Sequence, residues 1–168
     1  TSKYDNLLRY EGYELILKIL RYLYQIDAYI SIAEVARERG FVFAEALPLG
    51  GNILEIEGMF HPLIENAIPN SIQADAEHNV VFLTGANMAG KSTFMKTFGI
   101  VVYLAHMGFP LPVKKMRFSV QNGMYTTINL PDNMMLGYSH FYAEVQRLKK
   151  VAEQVGRIGN LVIVFDEL

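Results

Sequence analysis

The stretch LTGANMAGKSTF (residues 83–94) decides how this chain is read. Two glycines, Gly85 and Gly90, bracket four residues. Lys91 and Ser92 follow at once, and the apolar run Val80-Val81-Phe82-Leu83 leads in. Gly85-Ala86-Asn87-Met88-Ala89-Gly90-Lys91-Ser92 fits G-x-x-x-x-G-K-[ST] at every required position. The chemistry needs those residue types. Glycines let the backbone curl so that its N–H groups face an anion, and a helix starting at Lys91 adds the positive end of its dipole. Lys91 would reach the β- and γ-phosphates of a bound nucleotide, Ser92 would ligate Mg²⁺, and Thr93 would add a hydroxyl near the α-phosphate.

A matching feature lies far along the chain. Leu161-Val162-Ile163-Val164-Phe165 is an apolar run that ends in Asp166-Glu167. A buried strand with that ending delivers carboxylates to the carboxyl edge of an open α/β sheet, where ligands bind. Asp166 would hold Mg²⁺, and Glu167 could polarise an attacking water, which makes the expected activity hydrolysis rather than passive binding. Between these features the pattern predicts a buried strand at Val80–Thr84, a helix from Lys91 to His106 closed by Gly108, and strands at Met116–Val120 and Met124–Asn129. The turn Gln121-Asn122-Gly123 separates those two strands. An amphipathic helix follows from Ser139 to Gln154, with Ser139 as its cap. Apolar strands alternating with helices predict a parallel α/β sheet covered on both faces, and the glycine loop set in it makes the expected α/β fold class that of a P-loop NTPase.

Upstream, Tyr13 to Arg39 contains neither Pro nor Gly, and its apolar residues recur mostly three or four apart. This predicts a helix of roughly 40 Å stopped by Gly40, with a break expected near Asp27–Ser31. It is either a core helix or a lever between domains. The expected division is a helical lever or connector over residues 1–45 and an ATPase portion over 46–168, whose first part is an irregular strand-and-loop region.

Composition narrows the function classes. The chain has 168 residues, 51% hydrophobic and 19% charged, with a net charge of −2. That is a globular balance without the basic footprint of a nucleic-acid surface. The small clusters Lys114–Lys115–Arg117 and Arg147–Lys149–Lys150 read as solvated faces. No apolar run approaches a membrane span, and the first residues lack the layout of a signal peptide. Cysteine is absent, consistent with a cytoplasmic location.

Thr84-Gly85-Ala86-Asn87-Met88-Ala89-Gly90-Lys91-Ser92-Thr93 resembles the T-G-P-N-M-x-G-K-S-T loop of the MutS mismatch-repair ATPases, a branch of the ABC-type ATPases. Three further segments are similar and in order: His61-Pro62-Leu63-Ile64-Glu65 with Pro69-Asn70-Ser71-Ile72, then DNMMLGYSHFYAE (residues 132–144), then VIVFDE (residues 162–167). The resemblance covers about residues 55 to 168 and implies a partial mixed sheet flanked by helices, with lever helices before it. It implies ATP and ADP as ligands with Mg²⁺, and DNA engaged through domains outside this chain. Asn87 would meet the γ-phosphate or the water, and Ala67 and Ile68 would lie near the adenine. Ser139 would reach the γ-phosphate held by a second MutS-like subunit, most simply an identical one, so that ATP is sandwiched in a dimer. Read without the resemblance, Ser139 is a helix cap and His61 a structural residue.

The chain also departs from that pattern. Ala86 replaces a proline, and Tyr138 and His140 stand where arginine and threonine are usual. A sheet whose acidic strand closes at Leu168 is expected to be a fragment of a longer protein. Two rival readings remain: an ATP-driven switch in a non-repair assembly, and a small P-loop phosphotransferase.

Overall fold

A computed structural model of the chain describes residue 4, residues 12–128 and residues 140–166. The chain divides into two compact units, residues 1–40 and 41–168.

In the first unit, helix α1 runs from Tyr13 to Arg39 without interruption. The expected break at Asp27–Ser31 is absent. The Ser31 hydroxyl donates to the Asp27 carbonyl at 3.0 Å, so the polar residue bonds back along the helix instead of opening it. Gly40 ends α1 at φ 66°, with its N–H donating to the Ala36 carbonyl. A left-handed residue closes the helix there, and glycine reaches that conformation without a Cβ clash. No residue of α1 is buried.

The second unit holds two sheets. Strands β1 (Glu45–Leu47), β2 (Leu54–Met59), β3 (Asn70–Ala74) and β4 (Lys115–Ser119) form a mixed sheet in the order β1-β4-β2-β3. Only the β1–β4 pair in it is parallel, so the parallel sheet expected from the apolar runs does not form here: β2 runs antiparallel to both β3 and β4. The β2–β3 register shifts between Ile56 and Met59, where Gly58 takes φ 62° and its N–H donates to the Ser71 hydroxyl at 3.0 Å. Strands β5 (Gly123–Thr127) and β6 (Leu161–Phe165) form a separate parallel pair, with Thr127 opposite Phe165. The turn at 121–123 therefore joins two sheets rather than closing a hairpin, and each strand begins one residue earlier than the pattern predicts.

Helix α2 (Lys91–His106) packs between them. Phe94, Phe98, Val101, Val102 and Ala105 recur at helical spacing and share one core with Ile56, Met59, Leu111, Met116 and Phe118 of the larger sheet's side. Val164, and more shallowly Val162 and Met124, bring the β5–β6 pair into the same core. Gly108, at φ 73°, turns the chain out of the helix, and Phe109 N–H returns to the Leu104 carbonyl at 3.0 Å. Helix α3 (His140–Ile158) runs four residues past its expected end. Gly159 and Asn160, both at positive φ, then turn the chain into β6.

The predicted buried strand at Val80–Thr84 does not form. The segment joins no ladder among the described residues. Val80 is 71% and Phe82 87% exposed. An apolar, β-branched run such as VVFL suits a strand, but a strand also needs a neighbour to take its N–H and C=O groups. That partner is a long-range fact which a local run does not encode.

Candidate functional site at the start of helix α2

The loop before α2 is built by its own backbone. Gly90 sits at φ 92° and ψ 12°, and the Phe94 N–H donates to its carbonyl at 2.8 Å, which closes the first helical turn. Gly90 has no side chain to cap that turn, so the leading N–H groups of α2 are left for another acceptor. Within the loop, Ala89 N–H donates to the Ala86 carbonyl at 3.2 Å. The Lys91 ammonium folds back and donates to the carbonyls of Gly85 at 2.7 Å and Ala86 at 3.0 Å. It ties the two ends of the loop together. Met88 occupies the tip at φ 67°, fully exposed, and Asn87 beside it is also exposed. Ser92 is half-buried and Thr93 exposed, with the Thr93 carbonyl accepting from the Thr97 hydroxyl at 2.7 Å.

Two contacts fix the course of α2. At its last residue, His106 Nε2 accepts the Gln121 N–H at 3.0 Å, just ahead of β5. Midway along, a Cβ placed on Gly99 would lie 3.9 Å from the Thr126 methyl, near the end of β5. The helix thus runs antiparallel to β5 and β6. Eight more residues at about 1.5 Å each carry its N-terminus past the carboxyl ends of both strands. Asp166 stands on that same edge. Its N–H donates to the Thr127 carbonyl at 3.2 Å, extending the β5–β6 ladder one step past Phe165, and the residue is half-buried. Residues 85–93 and Asp166 are therefore brought to one end of the sheet. Glu167 and Ser139 lie outside the described residues.

Other residues singled out by sequence stand differently. Ile68, 82% exposed, lies in the loop before β3, where its carbonyl accepts from Asn70 Nδ2 at 2.9 Å. No hydrogen bond among the described residues links it to the glycine loop. His61 Nδ1 accepts the Leu63 N–H at 3.3 Å and so shapes a local turn. The motif reading passes over His106. Its Nδ1 lies 2.8 Å from the Val102 carbonyl and its ring 4.8 Å from that of Phe118. A carbonyl can only accept, so Nδ1 carries the proton and Nε2 is free to take the Gln121 N–H. A histidine in the last turn of a helix is the only local hint of that clip.

Among the described residues, three ionisable groups in and beside the larger sheet are perturbed. Glu57 is held below the usual carboxylate range by its hydrogen bond to Lys114, at 2.6 Å, and by that cation's charge. Lys114 is raised by the same pair. Asp75 is lowered chiefly by the backbone N–H groups of His78 and Glu77. Among the described residues no group of three or more His, Cys, Asp or Glu side chains is placed to hold a metal, and no helix is long and apolar enough to cross a membrane.

Residues 81–168 match MutS domain V. The chain is also 30% identical over 158 residues to the DNA mismatch repair protein MutS of Thermus aquaticus, a match that covers 92% of this chain and 18% of that protein. It is 31% identical over 160 residues to the protein of the same name from Desulforamulus reducens, covering 91% of this chain and 18% of the relative. Against DNA mismatch repair protein MutS 1 of Halobacterium salinarum the identity is 31% over 151 residues, covering 88% and 17%. The chain thus spans less than a fifth of the length of these relatives. With more than half of its residues inside the domain V match, the chain belongs to the MutS family.

Proposed function

We propose that residues 41–168 form part of a nucleotide-binding unit that hydrolyses ATP within a MutS-type DNA mismatch-repair protein. What supports this reading most is that the uncapped start of α2 follows directly on the glycine loop, while Asp166 extends the carboxyl end of the β5–β6 pair toward which that start is directed. The backbone N–H groups and the helix dipole suit a phosphate. Lys91 exchanges its two carbonyl partners for phosphate oxygens. Asn87, at the exposed rim, is available to the terminal phosphate, and Ile68 to the base. The Ser92 hydroxyl and Asp166 carboxylate are hard oxygen donors and fit Mg²⁺, which binds few protein groups and keeps phosphate and water oxygens. Bound there, Mg²⁺ would neutralise charge developing on the phosphates. Glu167, next in sequence to Asp166, would take a proton from the attacking water, and Ser139 would act across a dimer of MutS-like subunits. DNA would be held by other parts of the protein, since a net charge of −2 leaves this chain without the basic footprint of a nucleic-acid surface.

Glu167→Gln in the full-length protein tests the chemistry. It is expected to keep ATP binding and to lower turnover about 100-fold, the usual scale for loss of a general base. Unchanged turnover would remove Glu167 from that role. Loss of preference for mismatched over plain duplex in every nucleotide state would sink the repair assignment, leaving an ATP-driven switch in another assembly.

A further inference from the structure

The glycine loop carries one feature that phosphate binding does not use: the thioether of Met88. We propose that Met88 is a redox-modification site, at which a hydroperoxide converts the thioether to the sulfoxide and weakens nucleotide binding by the loop. The affinity half of this proposal rests on the nucleotide reading above.

Exposure makes the oxidation selective. Met88 is 102% exposed, whereas Met59 and Met116 are 1% and 2% exposed. Oxidation of methionine follows access of the oxidant to sulfur, so these side chains should differ sharply in rate. Met107, at 55%, is the internal control. It is accessible too, but it lies past the C-terminal end of α2, at the far end of the helix from the loop. The reaction balances simply. A sulfur lone pair attacks the terminal oxygen of the hydroperoxide, the S–O bond forms as the O–O bond breaks, and the proton on the transferred oxygen passes to the departing oxygen. Sulfur is oxidised by two electrons and the peroxide is reduced to water or an alcohol.

The consequence follows from where Met88 sits. Its backbone is held at φ 67° between Gly85 and Gly90, with Lys91 bonded to the loop's first two carbonyls. A thioether is a poor hydrogen-bond acceptor, so in reduced form it leaves the loop's donors free. A sulfoxide oxygen is a strong acceptor tethered to the same short loop, and it competes for the N–H groups and the ammonium that a phosphate would take.

The test treats the full-length protein with graded hydrogen peroxide. It reads Met59, Met88, Met107 and Met116 by peptide mass spectrometry, and affinity by titration with a fluorescent ATP analogue. Met88 and Met107 should convert while Met59 and Met116 stay reduced. Affinity should fall about tenfold, the scale of a lost charged hydrogen bond, in step with Met88 alone. Magnesium ATP should protect Met88 and not Met107. Met88→Leu, compared with its own untreated affinity, should become insensitive to peroxide. Conversion of Met88 no faster than Met59, or a Met88→Leu variant that loses affinity as steeply as its parent, would overturn the proposal. Selective oxidation of Met88 without loss of affinity defeats it while leaving the nucleotide reading intact. Untreated protein that binds no analogue defeats the nucleotide reading first.

Discussion

At the scale of single residues, three positions in and around α2, two glycines and a lysine, do different work. Gly90 has open space around it, yet its φ of 92° is one that side chains rarely adopt. Gly90→Ala should therefore cost about 1–2 kcal/mol through backbone strain alone, seen as a lower denaturation midpoint, and should misaim the first turn. Gly99 is the opposite case. It lies inside the helix, and a Cβ there would meet only the Thr126 methyl at 3.9 Å, an ordinary contact. Gly99→Ala should be neutral or stabilise by up to about 1 kcal/mol, because alanine loses less backbone freedom. Lys91 is the third. Because its ammonium holds the carbonyls of Gly85 and Ala86, Lys91→Ala removes a brace as well as a phosphate ligand. Faster amide exchange across residues 85–90 in the nucleotide-free protein would reveal the brace, and unchanged exchange would reduce Lys91 to a ligand only.

At the scale of elements, α2 is held by its apolar face and by the His106 clip. Phe98 is 9% exposed within the core. Phe98→Ala should cost about 3–5 kcal/mol, and a loss below 1 kcal/mol would mean the helix is not seated as described. The VVFL segment behaves in the reverse way, since Phe82 is 87% exposed and lies in no ladder. Phe82→Ser in this chain should change stability by less than about 0.5 kcal/mol, and a large loss would restore the buried strand that the sequence pattern suggests. The contrast shows what can be read from a linear chain. Helix ends are local events, so Gly40 and Gly108 mark them directly. The phosphate-loop pattern is local too, and its residues fall together at one helix start. Strand partners are not local. The separation of β4 from β5 depends on which edge each finds, and nothing in Gln121-Asn122-Gly123 states that Asn122 will donate to the carbonyls of Ile158 and Gly159 at 3.1 and 3.2 Å.

At the scale of the whole molecule, few of the described ionisable groups are shifted on folding, so the response to pH should be traceable to them. Glu57 and Asp75 both ionise below their ordinary range, for different reasons. The sign is the same for both. A carboxylate whose folded pKa is depressed contributes stability that is fully present above its unfolded pKa and is lost as pH falls through the folded one. Melting temperature should therefore decline on acidification through and below the ordinary carboxylate range, and Glu57→Gln and Asp75→Asn should each flatten that decline. Both groups lie on the surface, so the effects are small. Salt separates them. The first cause at Glu57 is an exposed bond to Lys114, whose charge–charge part mobile ions screen, whereas Asp75 accepts backbone N–H groups at 2.7 and 2.8 Å from positions fixed by its own turn. Carboxyl titration followed by NMR in low and in molar salt should return Glu57 toward its ordinary value while Asp75 stays depressed. Equal recovery of both would mean that the turn at residues 75–78 is held by the charge of His78 rather than by its backbone.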